Sequence, residues 1–547
     1  MGLFSAGAGT LGGRAWQGSW ALGVVALMAG PSFGVPLNIG PVEGQFDTQF
    51  SLSSGWGLAS PSQRLVGASN GGHAAAASSD DGRLNFKRGE AFSRRFEGVH
   101  ALELRYQDSG LYLRGRYWYD FKLEDEHQRF KDIDDSGRAL GSRSAGGQLL
   151  EAFAWQHYQL GGQPGTVRVG RQVVHWGEAQ LIGGGIDAIN PTGAQLFPSA
   201  AAPWREQALP TSLFYVRQNL TDALSVDGFY QLAWDPDQQA NCGTFFASSD
   251  ALAKGCAGNL ALGPASAGQP EGTLVARGHD DEPSSGGQFG LAVHYQLSPW
   301  NTELGAYVLN YHSRAAYLAG DGPGYYVKYP ENIHLYGLSF SSVLPEGTRW
   351  RGELSYRPNA PLQENWYSVL QQSNASGADQ GYQRAPVTDL RSSLEHTFDG
   401  GLGADRFTLL AELGATRVNG LGSGYYGRDV AFGAPPGQCQ AGSRYCDGGG
   451  FTTTTAWGYR ARAQWTFFEV VPRLTLRPSL AWAHDVNGYS PQPGGQFEEG
   501  RKAVTLGLDA DYQRTYSASL AYTNYFGGRY STINDRDFLA LTLGLRF

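Results

Sequence analysis

Charge is scarce in this sequence: Asp, Glu, Lys and Arg make up 17% of its 547 residues, with a net charge of −8. A nucleic-acid partner needs a basic stripe to neutralise phosphates, so that class is set aside. Long apolar runs are scarce as well. Beyond residue 34 none approaches the roughly 20 residues a spanning helix needs, and the mean hydropathy is −0.34. That value leaves a membrane β-barrel open, because barrel strands alternate apolar and polar residues. Cysteine numbers only four, in two local pairs, Cys242 with Cys256 and Cys439 with Cys446. Neither pair has histidine neighbours, so no zinc site is expected. Short loops close at least entropic cost, which favours two local disulfides in an oxidising compartment, with free thiols as the alternative.

Aromatic residues and glycine are abundant, at 13% and 77 residues, a composition that suits one large sheet. Arg14, the apolar stretch Trp20 to Ala29 and the small residues at Ser32-Phe33-Gly34 predict a cleaved signal peptide over 1–34. The mature part, 35–547, is expected to be a single outer-membrane domain of a Gram-negative bacterium.

The C-terminus carries the sharpest local pattern. Leu539, Leu541, Leu543, Leu545 and Phe547 alternate with Phe538, Ala540, Thr542, Gly544 and Arg546, a period of two long enough for a tilted strand to cross a bilayer. The terminal Phe547 resembles the signature read by the outer-membrane assembly machinery, an expected partner along with membrane lipid and lipopolysaccharide. Similar alternation recurs upstream. Leu506 and Leu508 face away from Asp509 and Asp511, Trp457 and Tyr459 away from Arg460 and Arg462, and Leu474 and Leu476 away from Arg473 and Arg477. Carboxylates cannot face lipid, so the polar side lines a wet interior.

Connections alternate between short ones, such as 107–110 and 298–301, and long ones, such as 122–148 and 235–287. Short periplasmic turns and long outer loops are the habit of bacterial barrels. The count predicts an all-β, antiparallel up-and-down transmembrane barrel of about 18 strands, range 16 to 20, its first strand around Phe46 to Leu52. Residues 55–98 are expected to form an outer loop or plug.

Catalytic patterns find no structural context. Gly67-Ala68-Ser69-Asn70-Gly71 has the serine-hydrolase spacing without a following helix, and Gly422, Gly424 and Gly427 match a dinucleotide fingerprint without a βαβ unit. Asp132 to Gly137 begins like a calcium loop, but Arg143 stands where a bidentate glutamate is required. No cofactor, metal or catalytic residue is predicted.

One dense segment stands apart, Gly170-Arg171-Gln172-Val173-Val174-His175-Trp176-Gly177-Glu178 and onward through Gly183-Gly184-Gly185 to Asn190-Pro191. With Tyr230-Gln231, Trp234 and Ser355-Tyr356-Arg357-Pro358-Asn359-Ala360-Pro361, it resembles a family of proteobacterial outer-membrane proteins known as domain of unknown function 1302. That family usually carries asparagine or a small polar residue where this chain has His175. The resemblance implies a barrel tied to uptake or export of poorly soluble compounds such as steroids or lipids, with an exporter or periplasmic carrier as partner.

Gly, Pro and Trp at this density suit a loop folded into the lumen, so 175–210 is the candidate constriction. Arg171, His175, Trp176, Glu178, Asp187, Asn190, Trp204, Arg205 and Glu206 are its candidate residues, expected to pair with one another or with the wall arginines Arg460, Arg462, Arg473 and Arg477. The expected function is a transport barrel for small, amphipathic or hydrophobic anions. A lipid-modifying enzyme and a surface adhesin or scaffold are the alternatives.

Overall fold

The computed structural model describes residues 34–256, 260–262, 273–439 and 446–547. Apart from Gly34, the expected signal peptide lies outside the described residues. Eighteen antiparallel strands close into a barrel. In chain order they are β1 Val42–Gly57, β2 Ala91–Tyr106, β3 Ser109–Asp120, β4 Ala145–Leu160, β5 Gln163–Gln172 and β6 Thr211–Asn219. Next come β7 Leu224–Gln231, β8 Phe289–Leu297, β9 Thr302–Tyr311, β10 Ile333–Val343, β11 Arg349–Gln363 and β12 Tyr382–Gly401. The last six are β13 Ala404–Val418, β14 Thr455–Val471, β15 Leu474–Asn487, β16 Arg501–Tyr512, β17 Tyr516–Gly527 and β18 Phe538–Arg546.

Closure joins β1 to β18, with Gln49 opposite Arg546 and Gly57 opposite Phe538. Phe547 completes the seam: its N–H donates to Thr48 O, and its own carbonyl accepts from Thr48 N. A further short strand, Val35–Ile39, doubles back on the start of β1. The predicted first strand thus holds. The loop expected over 55–98 is shorter, 58–90, because Ala91 to Gly98 already pair as strand.

The alternation seen in the sequence sets the two faces. Leu354, Leu394 and Leu506 stand outward, 42%, 50% and 53% exposed, whereas Glu353, Ser393 and Thr505 beside them are buried inward. An apolar outer band with trapped inner charge is a membrane barrel's surface, which places the protein in the outer membrane. The rim is uneven. Strands β5 to β8 have only 8 to 10 residues, while β11 to β14 have 15 to 20. A tilted strand crosses the bilayer in about 9 to 11 residues, so the tall side projects outward beyond the membrane.

The interior is less wet than the strand pattern predicts. Ala456, Ala481, Ala503 and Phe538 face inward and pack with Leu181, Ile182, Phe86, Phe245 and Phe497 from four outer loops. Outer loops folded into the mouth bury apolar side chains there, so alternation fades at the outer ends of the strands. The two cysteine pairs form disulfides within their own loops, with Cα separations of 6.3 Å for Cys242–Cys256 and 5.7 Å for Cys439–Cys446.

Candidate functional site

Three neighbouring tall strands build the receiving wall. Inward phase puts Glu353 on β11, Asp389 and Arg391 on β12 and Glu412 on β13, each at most 3% exposed. Register sets Glu353 opposite Arg391, and Ser393 opposite Glu412. Buried carboxylates at this density need compensating donors. The loop 173–210 supplies them.

Leaving β5 at Gln172, that loop turns into the barrel and crosses toward β11–β13. Glu353 accepts the backbone N–H groups of Glu178 at 2.6 Å, Ala179 at 3.0 Å and Ile186 at 3.1 Å. Glu412 accepts those of Gln180 at 3.0 Å and Leu181. In return Arg391 donates to Gly183 O at 3.0 Å and Arg357 to Gly184 O at 2.6 Å. Irregular backbone has no ladder partners, so these wall groups satisfy its donors and acceptors. Gly184 has φ +83° and Gly185 lies so close to Glu353 that a Cβ there would overlap its carboxylate. Farther along, Thr505 Oγ1 accepts from Ala200 N at 2.9 Å, and the Tyr525 hydroxyl donates to Pro198 O at 2.9 Å. The segment therefore touches walls on both sides of the lumen.

The predicted site residues divide between this loop and elsewhere. His175 Nδ1 and Asp187 lie 2.7 Å apart. Trp176 is buried against Phe229 and Tyr307, and Trp204 packs under Gly183. Asn190 clasps the loop's own start, donating to Val174 O at 2.7 Å. Arg205 donates to Gly177 O, Glu178 lies 3.7 Å from Arg351, and Glu206 is exposed. Arg171 pairs with Asp235 at 3.0 Å, outside this network.

The expected wall arginines do not meet the loop's acids. Arg460 pairs with Asp485 at 2.7 Å and donates to Gln496 O, so it anchors the outer loop 488–500. Arg477 stands opposite Asp509 and Arg462 opposite Leu410, while Arg473 occupies the short turn after β14. Arg351 alone nears a loop acid, Glu178, while Arg357 and Arg391 hold the loop through its carbonyls and share Asp389 on the wall. Of these, Arg357 stood in the Ser355 to Pro361 stretch. Inward phase opposite Leu390 and Leu354 was the only sequence signal for Arg391 and Glu353.

Above the loop lies a cavity of about 400 Å³ whose lining includes Asp187, Trp204, Tyr311, Arg314, Arg357 and Arg391. Arg314 reaches from the loop 312–332 to Ile189 O and to Gln231 Oε1 at 2.9 Å. On the lipid-facing side, Thr48 with His100 and Thr348 with His396 form hydroxyl–imidazole pairs at 3.0 and 2.8 Å. Neither imidazole has a carboxylate within ion-pair distance among the described residues, so the geometry lacks the orienting acid of a hydrolase triad.

Where the outer loops 58–90 and 232–288 meet, Asp80, Asp81 and Asp250 gather within 4.8 Å. Burial, with Asp81 next to it, pushes the Asp250 carboxyl up to about 7. A carboxyl raised on docking contributes fully only below its ordinary range of about 4, so the junction should weaken as pH rises from about 4 to 7 and change little above that. Proteinase K cleavage of the outer loops, normalised to a control peptide, is expected to accelerate from about pH 4.5 to 7 and then level off. Asp250→Asn should flatten that rise, and a variant as pH-sensitive as the parent would reject this assignment.

A closed antiparallel barrel with an apolar outer band and a long loop bound across its lumen is the architecture of an outer-membrane β-barrel protein. The chain belongs to the family described as protein of unknown function DUF1302, whose sequence model matches residues 15–547. No curated protein matches it. Among solved structures it is similar to Pseudomonas aeruginosa OccK1 (OpdK), at 10% identity and TM-score 0.41 over 92% of this chain and 98% of that one. Pseudomonas aeruginosa OccD3 (OpdP) gives 12% identity and TM-score 0.40 over 95% of both chains. Acinetobacter baumannii OccAB2 gives 12% and 0.41 over 92% and 98%.

Proposed function

We propose that this protein is a non-enzymatic solute channel of the outer membrane, selective for small amphipathic anions such as lipid- or steroid-like carboxylates, with loop 173–210 as its constriction. The observation that supports this most is the cavity of about 400 Å³ held on that loop, where Arg314, Arg357 and Arg391 stand beside Trp204, Tyr311 and Tyr317, with the single carboxylate of Asp389 shared between Arg357 and Arg391. Its volume falls within the range of small-molecule sites, about 300 to 1,000 Å³. Guanidinium groups beside aromatic and aliphatic walls suit a molecule with an anionic head and an apolar body.

Single-channel recording in planar bilayers under a KCl gradient tests the reading. The parent protein should conduct with a reversal potential on the anion side, and deletion of Gly183 to Asn190 should raise conductance at least twofold while weakening selectivity. A silent parent and a silent deletion variant, both still folded barrels, would remove the channel and leave a scaffold.

A further inference from the structure

We propose that the lumen carries a second binding station, on the periplasmic side of the loop, for molecules that join a planar ring to a carboxylate, with Arg168 as its anion-binding group. This inference rests on the lumen being a solute route.

The station is a cavity of about 670 Å³ on the inner faces of β2 to β5, reaching the short turn that joins β2 to β3 through Gln107 and Ser109. Aromatic side chains pave it. Tyr112 and Phe153 have ring centroids 5.5 Å apart, and Phe153 and Trp155 follow at 6.0 Å. Trp155 lies against Gly110, where a Cβ would overlap the indole, so the glycine lets this ring lie along the wall. The platform has room for a planar partner at stacking distance, about 4.5 to 7 Å between centroids.

Charge decides what that partner carries. The arginines nearest it on this wall have their carboxylates: Arg114 meets Glu151 at 3.0 Å, Arg105 meets Glu103, and Arg217 lies 3.6 Å from Asp227, while Arg116 stands outside the cavity, bonded to Gln148. Arg168 has no carboxylate within ion-pair distance among the described residues. Its guanidinium carbon sits 4.5 Å above the Tyr215 ring and 5.8 Å from that of Phe153. Tyr215 is held in turn, its hydroxyl donating to Asp227 at 2.8 Å. Held over the Tyr215 ring and hydrogen-bonded to that side chain, the guanidinium has further N–H donors for a planar acceptor, and a carboxylate fits such a fork with two parallel hydrogen bonds. Asp227 and Glu151 act on it only from beyond ion-pair distance and are shared with Arg217 and Arg114, so an incoming anion can make the direct pair that stacking leaves open.

Benzoate is the probe. The full-length protein, labelled with 5-fluorotryptophan in detergent, gives a Trp155 fluorine resonance identified by its loss in Trp155→Phe. Millimolar benzoate should shift that resonance, whereas acetate, which lacks the ring, and benzylamine, which reverses the charge, should not. Arg168→Gln should weaken the benzoate response at least tenfold and Arg168→Lys by less, with both variants still migrating as folded barrels when unheated. A Trp155 resonance indifferent to benzoate, or shifted equally in Arg168→Gln, overturns the station. The two readings separate cleanly: a protein that conducts anions without a Trp155 response keeps the channel and loses the station. A protein silent in bilayers both intact and with Gly183 to Asn190 deleted, whose Trp155 responds, supports the station and rejects the channel.

Discussion

Replacing Glu353 and Glu412 together by alanine should free the loop 173–210 from its wall and raise single-channel conductance severalfold, the largest change expected from any point substitutions in this barrel. The two carboxylates accept five backbone N–H groups of the loop, three at Glu353 and two at Glu412. A buried donor left without an acceptor costs about 1 to 3 kcal/mol, and bonds to a charged acceptor are the stronger kind. Glu353 alone therefore tethers the loop by several kcal/mol, enough to keep the undocked form rare. The strands themselves lose no ladder bonds, so the barrel should still migrate faster unheated than boiled. Glu353→Gln keeps the shape and one acceptor oxygen but loses the charge, and should give an intermediate conductance with flickering between levels. Conductance equal to the parent's in the double alanine variant, with the barrel intact, would mean that the wall carboxylates do not position the loop.

That clamp shows where sequence reading reaches its limit. Strand identity is local: the period of two in Leu539 to Phe547, or in Val504 to Tyr512, depends only on neighbours along the chain, and β18 and β16 lie where it placed them. Loop length told outer from inner ends, because hairpins with tight turns recur at every second connection. The inward bend was legible too, since glycines at 183–185 and Pro191 make poor flexible loop but good turns. What the loop touches was not legible. Glu353, Arg391 and Glu412 sit more than 160 residues away in the chain, and only the closed barrel brings them across the lumen. Arg460 and Arg462 drew attention by clustering on one strand. Arg460, however, finds Asp485 on the adjacent strand, a short-range partner that ends its availability. The aromatic cluster beneath the loop was hidden for another reason: it is set by register between the paired strands β3 to β6, which the alternation within any one strand does not show.

Gly185 offers the second large effect, and one that can be separated from general damage to the loop. Its backbone lies outside the left-handed region, so alanine costs little in conformation, but the added methyl would occupy the space of the Glu353 Oε1 atom, which accepts the Ile186 N–H at 3.1 Å. Gly185→Ala should therefore displace the carboxylate and raise conductance nearly as far as Glu353→Ala does. Neighbouring Gly184, at φ +83°, behaves differently. Alanine there is strained by about 1 to 2 kcal/mol whatever stands opposite. The double-mutant cycle follows directly. Combined with Glu353→Ala, Gly185→Ala should add almost nothing, because the methyl then fills the vacated carboxylate site, whereas Gly184→Ala should add its full effect. Measured as conductance and as proteinase K sensitivity of the loop, additivity at Gly185 would show that its methyl acts through some contact other than Glu353, and the clamp would have to be redrawn without that glycine.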